Sequence, residues 1–154
     1  MRKQTGFTLI EILVTVVVLA IGLLGLAGLQ AAGLSFSSTA AQRSQATSLA
    51  YDIIDRMRAN VNVARAGNYN IALGTATPAG ATVAAIDLQQ WRQAVINLLP
   101  PANRPPPPFP ALPYPAGANS GIVQNGNIFI ITILWDDDRD ATTFDQVFQV
   151  ETSL

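Results

Sequence analysis

Between Ile12 and Gln42 the chain carries no charged side chain, and from Ile12 to Leu29 its one polar side chain is Thr15. An apolar run of about 20 residues is long enough to cross a bilayer as a helix. The pattern then changes without a break. Leu49, Ile53, Met57 and Val61 recur every four residues, with Ala46, Ala50 and Ile54 beside them, which is the stripe of a helix facing a protein core. Asp52 and Arg56 stand at i,i+4 with the acid first, an arrangement that gives modest support to an exposed helix face. No proline interrupts Phe7 to Asn60. The pattern predicts one helix from the start of the apolar run to about residue 62, and at 1.5 Å per residue it would be roughly 80 Å long. Its first half is suited to lipid or to other helices, and its second half to a globular head.

Beyond that helix, glycine, asparagine, threonine and proline between Ala66 and Ala81 predict a loop. A second helix follows. Asp87 with Gln90 three residues later resembles a capping box, and Leu88, Trp91, Val95 and Leu98 fall on one face. Pro100-Pro101 would end it, with Trp91 read as a core anchor. Residues 100–115 are dominated by proline, including four in a row at Pro105 to Pro108, and read as a stiff surface loop of extended geometry. The C-terminal third has strand character. Asn125-Gly126 signals a hairpin, Ile128 to Trp135 is rich in β-branched and aromatic residues, and Phe144 to Thr152 alternates through Phe144, Gln146, Phe148 and Val150. The expected fold is α+β: one long N-terminal helix packed on a small C-terminal antiparallel sheet, whose inner face covers Ile53 and Met57.

Composition narrows the chemistry. The chain of 154 residues has a net charge near −1 and neither cysteine nor histidine. Without those residues the usual zinc, copper and iron sites and the Cys–His and Ser–His–Asp nucleophiles lose their donors, so no enzyme activity and no cofactor are expected. Seven arginines after residue 30 are scattered among nine acids, which gives no basic stripe for nucleic acid. Asp136, Asp138 and Asp140 alternate as the first ligands of a calcium loop do. However, Ala141 stands where such a loop needs glycine, and Val147 where it needs a bidentate glutamate. An EF-hand is excluded; a looser calcium site is a weak candidate beside a solvated turn.

The remaining signal is at the N-terminus. Arg2 and Lys3 precede Gly6-Phe7-Thr8-Leu9-Ile10-Glu11, and the carboxylate of Glu11 sits inside the apolar run. A charge there is costly unless neutralised or paired, and so marks a functional position. A secretory signal would have a shorter apolar core followed by a cleavage site of small residues; Ala31, Ala32 and Gly33 match that poorly. A plain single-span anchor fits the length, with Arg2 and Lys3 holding the N-terminus in the cytoplasm. Neither accounts for Glu11 or for the residues that open the run.

Those residues resemble the precursor motif of the type IV pilins and their secretion-system relatives. The resemblance implies a pilin-like fold, with a cleaved leader at 1–6, a membrane and filament-core helix at 7–30 and a periplasmic head at 31–154. It implies cutting between Gly6 and Phe7 by a membrane prepilin peptidase and N-methylation of Phe7. It also implies pairing of Glu11 with the N-terminal amine of a neighbouring subunit. Gly22, Gly25 and Gly28 weaken the helix locally or offer a small-residue packing face, unless they reflect only the abundance of glycine in membrane helices.

Four further features resemble the PilV-type minor pilins. They are the glycine-spaced stretch Ala20 to Gln30, Asp55-Arg56-Met57-Arg58-Ala59-Asn60, Trp91 upstream of Leu99-Pro100, and Trp135-Asp136 closing a strand. The proline-rich insert matches no pattern of that family, and the missing cysteine pair departs from many major pilins. The resemblance implies a low-abundance subunit that starts in the inner membrane and joins other pilins in a priming complex at the filament tip. Such a complex can hold a large adhesin and supports adhesion and twitching motility. The alternatives are a minor pseudopilin of type II secretion, a DNA-binding competence pilin and a tethered enzyme.

Overall fold

A computed structural model describes residues 6–102, 118–137 and 145–154. The leader residues Arg2 and Lys3, the proline-rich residues 103–115, the aspartates Asp138 and Asp140, and Phe144 lie outside the described residues. The elements are α1 (Leu9–Ala59), α2 (Val61–Arg65), α3 (Val83–Leu98), β1 (Ser120–Asn125), β2 (Ile128–Trp135) and β3 (Gln146–Ser153). This is the expected α+β, pilin-like arrangement. The chain divides into two units, Met1–Ser38 and Thr39–Leu154.

In the first unit every described residue, from Gly6 to Ser38, is exposed. The second unit has its own core. Ala46, Leu49, Ala50, Ile53, Ile54 and Met57 of α1 are all buried, as the four-residue periodicity predicts. They meet Leu88, Trp91 and Val95 of α3 and the inner sheet face of Ile122, Phe129, Ile131, Ile133 and Trp135, with Phe148 and Val150 at its margin. Full burial of one such large apolar side chain contributes about 1.5–3 kcal/mol. The Trp91 indole N–H donates to the Leu49 carbonyl at 2.9 Å, so the largest side chain of α3 is anchored to α1 without an orphaned polar atom.

The sheet is antiparallel throughout, in the order β1-β2-β3. Asn125 pairs with Ile128, so the residues between the strands are Gly126 and Asn127, one position later than the Asn125-Gly126 signal suggests. Gly126 takes the left-handed conformation (φ 61°) that the turn demands there.

Other expectations are corrected. The first helix ends at Ala59: Asn60 leaves helical geometry (φ −128°, ψ 44°), and Val61 opens the separate turn α2, half-buried rather than fourth in the stripe. The second helix begins one turn before Asp87. Thr82 is its N-cap, accepting from the Ala85 amide, so the buried face already includes Ala84 and Ala85. Leu98 is half exposed and Leu99 is buried in its place, because the chain becomes extended at Leu99 (φ −118°, ψ 144°) and turns inward.

The loop after α2 is more ordered than its composition suggests. Ile71 and Ile122 exchange two backbone hydrogen bonds of 2.8 Å each, adding a bridge to the free side of β1. That closeness explains Gly121, where a Cβ would lie 2.9 Å from the Leu73 nitrogen and 3.0 Å from the Ile71 oxygen. Arg92, 1% exposed, fastens the same loop. Its guanidinium donates to the carbonyls of Thr75 (2.6 Å), Ala72 (3.2 Å) and Ser120 (2.6 Å). Burial pushes its pKa down to about 10, which still leaves it charged at neutral pH.

A polar seam joins α1 to α3. Arg56 donates to Asp52 (3.0 Å), Asp87 (3.2 Å) and Gln90 (2.8 Å), so the supposed capping pair serves the helix–helix contact instead. Tyr69 donates to the other oxygen of Asp87 and accepts from the Asn60 amide at 3.3 Å. Burial, followed by the hydrogen bond to Asp87, pushes the Tyr69 phenol up to about 12.

Because the core lies wholly within Thr39–Leu154, that fragment is expected to fold alone, giving a cooperative urea transition by tryptophan fluorescence. In it, Gly121→Val should lose about 1–3 kcal/mol through overpacking against the Leu73 backbone, whereas Gln93→Ala on the exposed face should change little. A Gly121→Val transition superimposable on wild type would remove the close approach as the reason for glycine. The seam adds a pH dependence. The folded state holds the Tyr69 proton between the ordinary phenol value of 10.0 and about 12, so this contribution is present below that window and lost as pH rises through it. Arg92 acts with the opposite sign over the neighbouring range, so the readout is the difference between wild type and Tyr69→Phe. That difference should be about 1–2 kcal/mol at neutral pH and shrink towards pH ~12; a difference constant with pH would contradict the assignment.

Candidate functional site: the N-terminal processing and assembly segment

Gly6, Phe7 and Thr8 precede the helix, and α1 begins at Leu9. Thr8 supplies the start. Its carbonyl accepts from the amides of Glu11 (3.1 Å) and Ile12 (3.3 Å), and its hydroxyl oxygen lies 3.4 Å from the Glu11 nitrogen as a second acceptor. Thr8-Leu9-Ile10-Glu11 is thus the S/T-x-x-E sequence of a helix start, with Thr8 at the cap and Glu11 in the first turn. The Thr8-to-Glu11 spacing is a helix-start signal present in the sequence alone.

Glu11 is held by its backbone on both sides. Its amide goes to Thr8, and its carbonyl accepts from the Thr15 hydroxyl at 2.7 Å; that hydroxyl also lies 2.8 Å from the Ile12 carbonyl. Thr15, the one polar side chain between Ile12 and Leu29, is therefore satisfied inside its own helix, as an apolar surrounding requires. The Glu11 carboxylate makes no hydrogen bond or ion pair among the described residues.

Phe7, Leu9, Ile10 and the apolar residues that follow, as far as Phe36, are exposed. Among the described residues α1 is the one helix long and apolar enough to cross a membrane, and its apolar window is wholly unburied within the chain. A core helix of a soluble protein would be covered by its own fold; this exposed apolar stretch is consistent with membrane anchoring. Gly22, Gly25 and Gly28 lie in the same stretch, and a side chain at any of them would meet open space. Nothing among the described residues therefore requires glycine there. Asp136, the described member of the aspartate alternation, is buried at the end of β2. No group of metal-binding side chains occurs among the described residues.

Residues 1–27 match the family model described as the prokaryotic N-terminal methylation motif. Together with the exposed apolar helix and the three-stranded head, this match supports a type IV pilin-like prepilin. It implies processing by a prepilin peptidase and assembly with other pilins, and it is consistent with membrane anchoring followed by incorporation into a pilus. Pilin-type subunits of this kind are structural and generally non-enzymatic. No curated protein and no solved structure matches the chain.

Proposed function

We propose that the chain is a minor pilin of a type IV pilus, one that joins a tip complex priming filament assembly and so supports adhesion and twitching motility. The observation that carries this reading is a methylation motif running directly into an apolar helix that its own fold leaves uncovered. In the proposed cycle residues 1–6 are the leader, residues 7–30 the membrane and filament-core helix, and residues 31–154 the periplasmic head. A prepilin peptidase cuts between Gly6 and Phe7, the Phe7 amine is methylated, and the apolar helix stays with the mature subunit because it follows the cut. The partners are other minor and major pilins, with a large tip adhesin as the complex's cargo. The PilV-like stretches of sequence favour this membership.

In a filament core the Glu11 carboxylate would be desolvated, and the N-terminal amine of a neighbouring subunit is a partner of matching charge. Two buried charges offset their desolvation only when they meet in good geometry, so the pair selects register more than it adds affinity. A charge left without its partner costs about 3–5 kcal/mol. Gly22, Gly25 and Gly28 would let this segment loosen or let neighbouring helices approach closely.

Deleting the gene should abolish surface pili and twitching while enzyme secretion in the same strain stays intact. Wild type should restore both, and Glu11→Ala should be processed to an N-methylated Phe7 terminus yet fail to join filaments. Lost secretion with normal pili would place the subunit in a type II secretion pseudopilus instead. Normal incorporation of the Glu11→Ala chain would remove the pairing role.

A further inference from the structure

We infer that Thr8 is a positioning residue for leader removal: by capping α1 it keeps the Gly6–Phe7 peptide bond outside the helix. The inference rests on the reading of that bond as the one cleaved. In the hydrolysis water adds to the Gly6 carbonyl carbon and the bond to the Phe7 nitrogen breaks. Gly6 leaves as a carboxylate, and the Phe7 nitrogen takes a proton as the new amine. The carbonyl must be open to attack, and a carbonyl enclosed in a helical ladder is not.

The structure shows where the ladder stops. The first carbonyl to accept from the helix is that of Thr8, which takes the amides of Glu11 and Ile12. Among the described residues the carbonyls of Gly6 and Phe7 accept no backbone hydrogen bond, and both residues are exposed. The Thr8 hydroxyl oxygen adds an acceptor for the Glu11 amide, which rewards starting the helix here rather than earlier. The next candidate upstream is Gly6, since glycine is tolerated at a cap. Alanine at position 8 would remove the hydroxyl and supply the strongest helix former, drawing the start back onto the Gly6–Phe7 bond. One turn further in, the Thr15 hydroxyl donates to the Glu11 carbonyl at 2.7 Å.

The test uses the full-length precursor in membranes with a prepilin peptidase. Cleavage is followed over time for wild type, Thr8→Ala, Thr8→Ser and Thr8→Asn, and the new terminus is sequenced. Serine and asparagine keep a capping acceptor in two different shapes, so both should be cut at close to the wild-type rate. Thr8→Ala should be cut about fivefold more slowly, the order of effect expected from one lost helix cap. In detergent micelles the Cα chemical shifts of Phe7 should move towards helix in Thr8→Ala alone. Equal cleavage of Thr8→Ala and wild type overturns the inference. So does a loss in Thr8→Asn as deep as in Thr8→Ala, because the peptidase would then be reading the threonine shape directly. A wild-type precursor that is not cut at Gly6–Phe7 at all would defeat the proposed processing itself, a result distinct from either.

Discussion

One helix has to satisfy two solvents, and the rest of the chain is arranged around that demand. From Ile12 to Leu29 the side chains of α1 are apolar except Thr15, and none of them is covered among the described residues. From Ala46 to Met57 the same helix supplies the central stripe of a water-soluble core. The two demands call for different sequences. The first excludes charge, and none occurs between Ile12 and Gln42; the second needs a polar outer face, and Arg43, Asp52, Asp55, Arg56 and Arg58 provide it. Arg43 and Gln42 already belong to the head, donating to Gln146 at 2.8 Å and accepting from the Trp135 indole at 3.2 Å. Charge and long polar side chains therefore return where the sheet begins to need partners.

The head solves a second problem. Three strands are few for an independent domain, and their inner face is stabilised only by packing on helices. α1 and α3 together provide that cover, and a polar seam of Arg56, Asp87, Gln90, Tyr69 and Asn60 fixes how the two helices meet. Tyr69 is the buried member of that seam, so a packing that broke it would leave the phenol without its hydrogen-bond partners. Arg92 fastens the loop after α2. A charged side chain donating to three backbone carbonyls replaces the regular hydrogen bonding that an irregular segment lacks.

What the sequence discloses follows from how local each signal is. The apolar run, the four-residue stripe, Trp91 as an anchor and the strand Ile128 to Trp135 are all patterns of neighbouring residues set against a single environment, and each was legible. The errors come where a distant partner decides. Asp87 and Gln90 look like a cap until Arg56, 31 positions before Asp87, takes both. Leu98 fits the periodicity, but the backbone leaves the helix at Leu99 and reverses which of the two is buried. Arg92 reads as one more scattered surface charge, since nothing near it in sequence announces the carbonyls of Ala72, Thr75 and Ser120. Gly121 is explained only by the approach of Ile71 and Leu73, some fifty residues earlier. Thr8 is the opposite case, a local signal three residues from Glu11 that needs no distant partner to be read.

That pairing of Thr8 and Glu11 also resolves an apparent conflict. A glutamate in the first turn of a helix has an ordinary explanation in capping and the helix dipole, and such an explanation would normally weaken a claim that the residue exists for assembly. The geometry divides the two roles between different atoms. Capping engages the Glu11 amide, and Thr15 engages its carbonyl, both through the main chain. Any residue at position 11 other than proline could supply those atoms. The carboxylate takes part in neither, and among the described residues it has no partner at all. Local helix formation therefore accounts for where the helix starts but not for why a carboxylate stands at position 11, where the surrounding side chains are apolar and exposed. A costly charge that no described residue pairs is compatible with a partner on another chain, the role given to it in the proposed filament register.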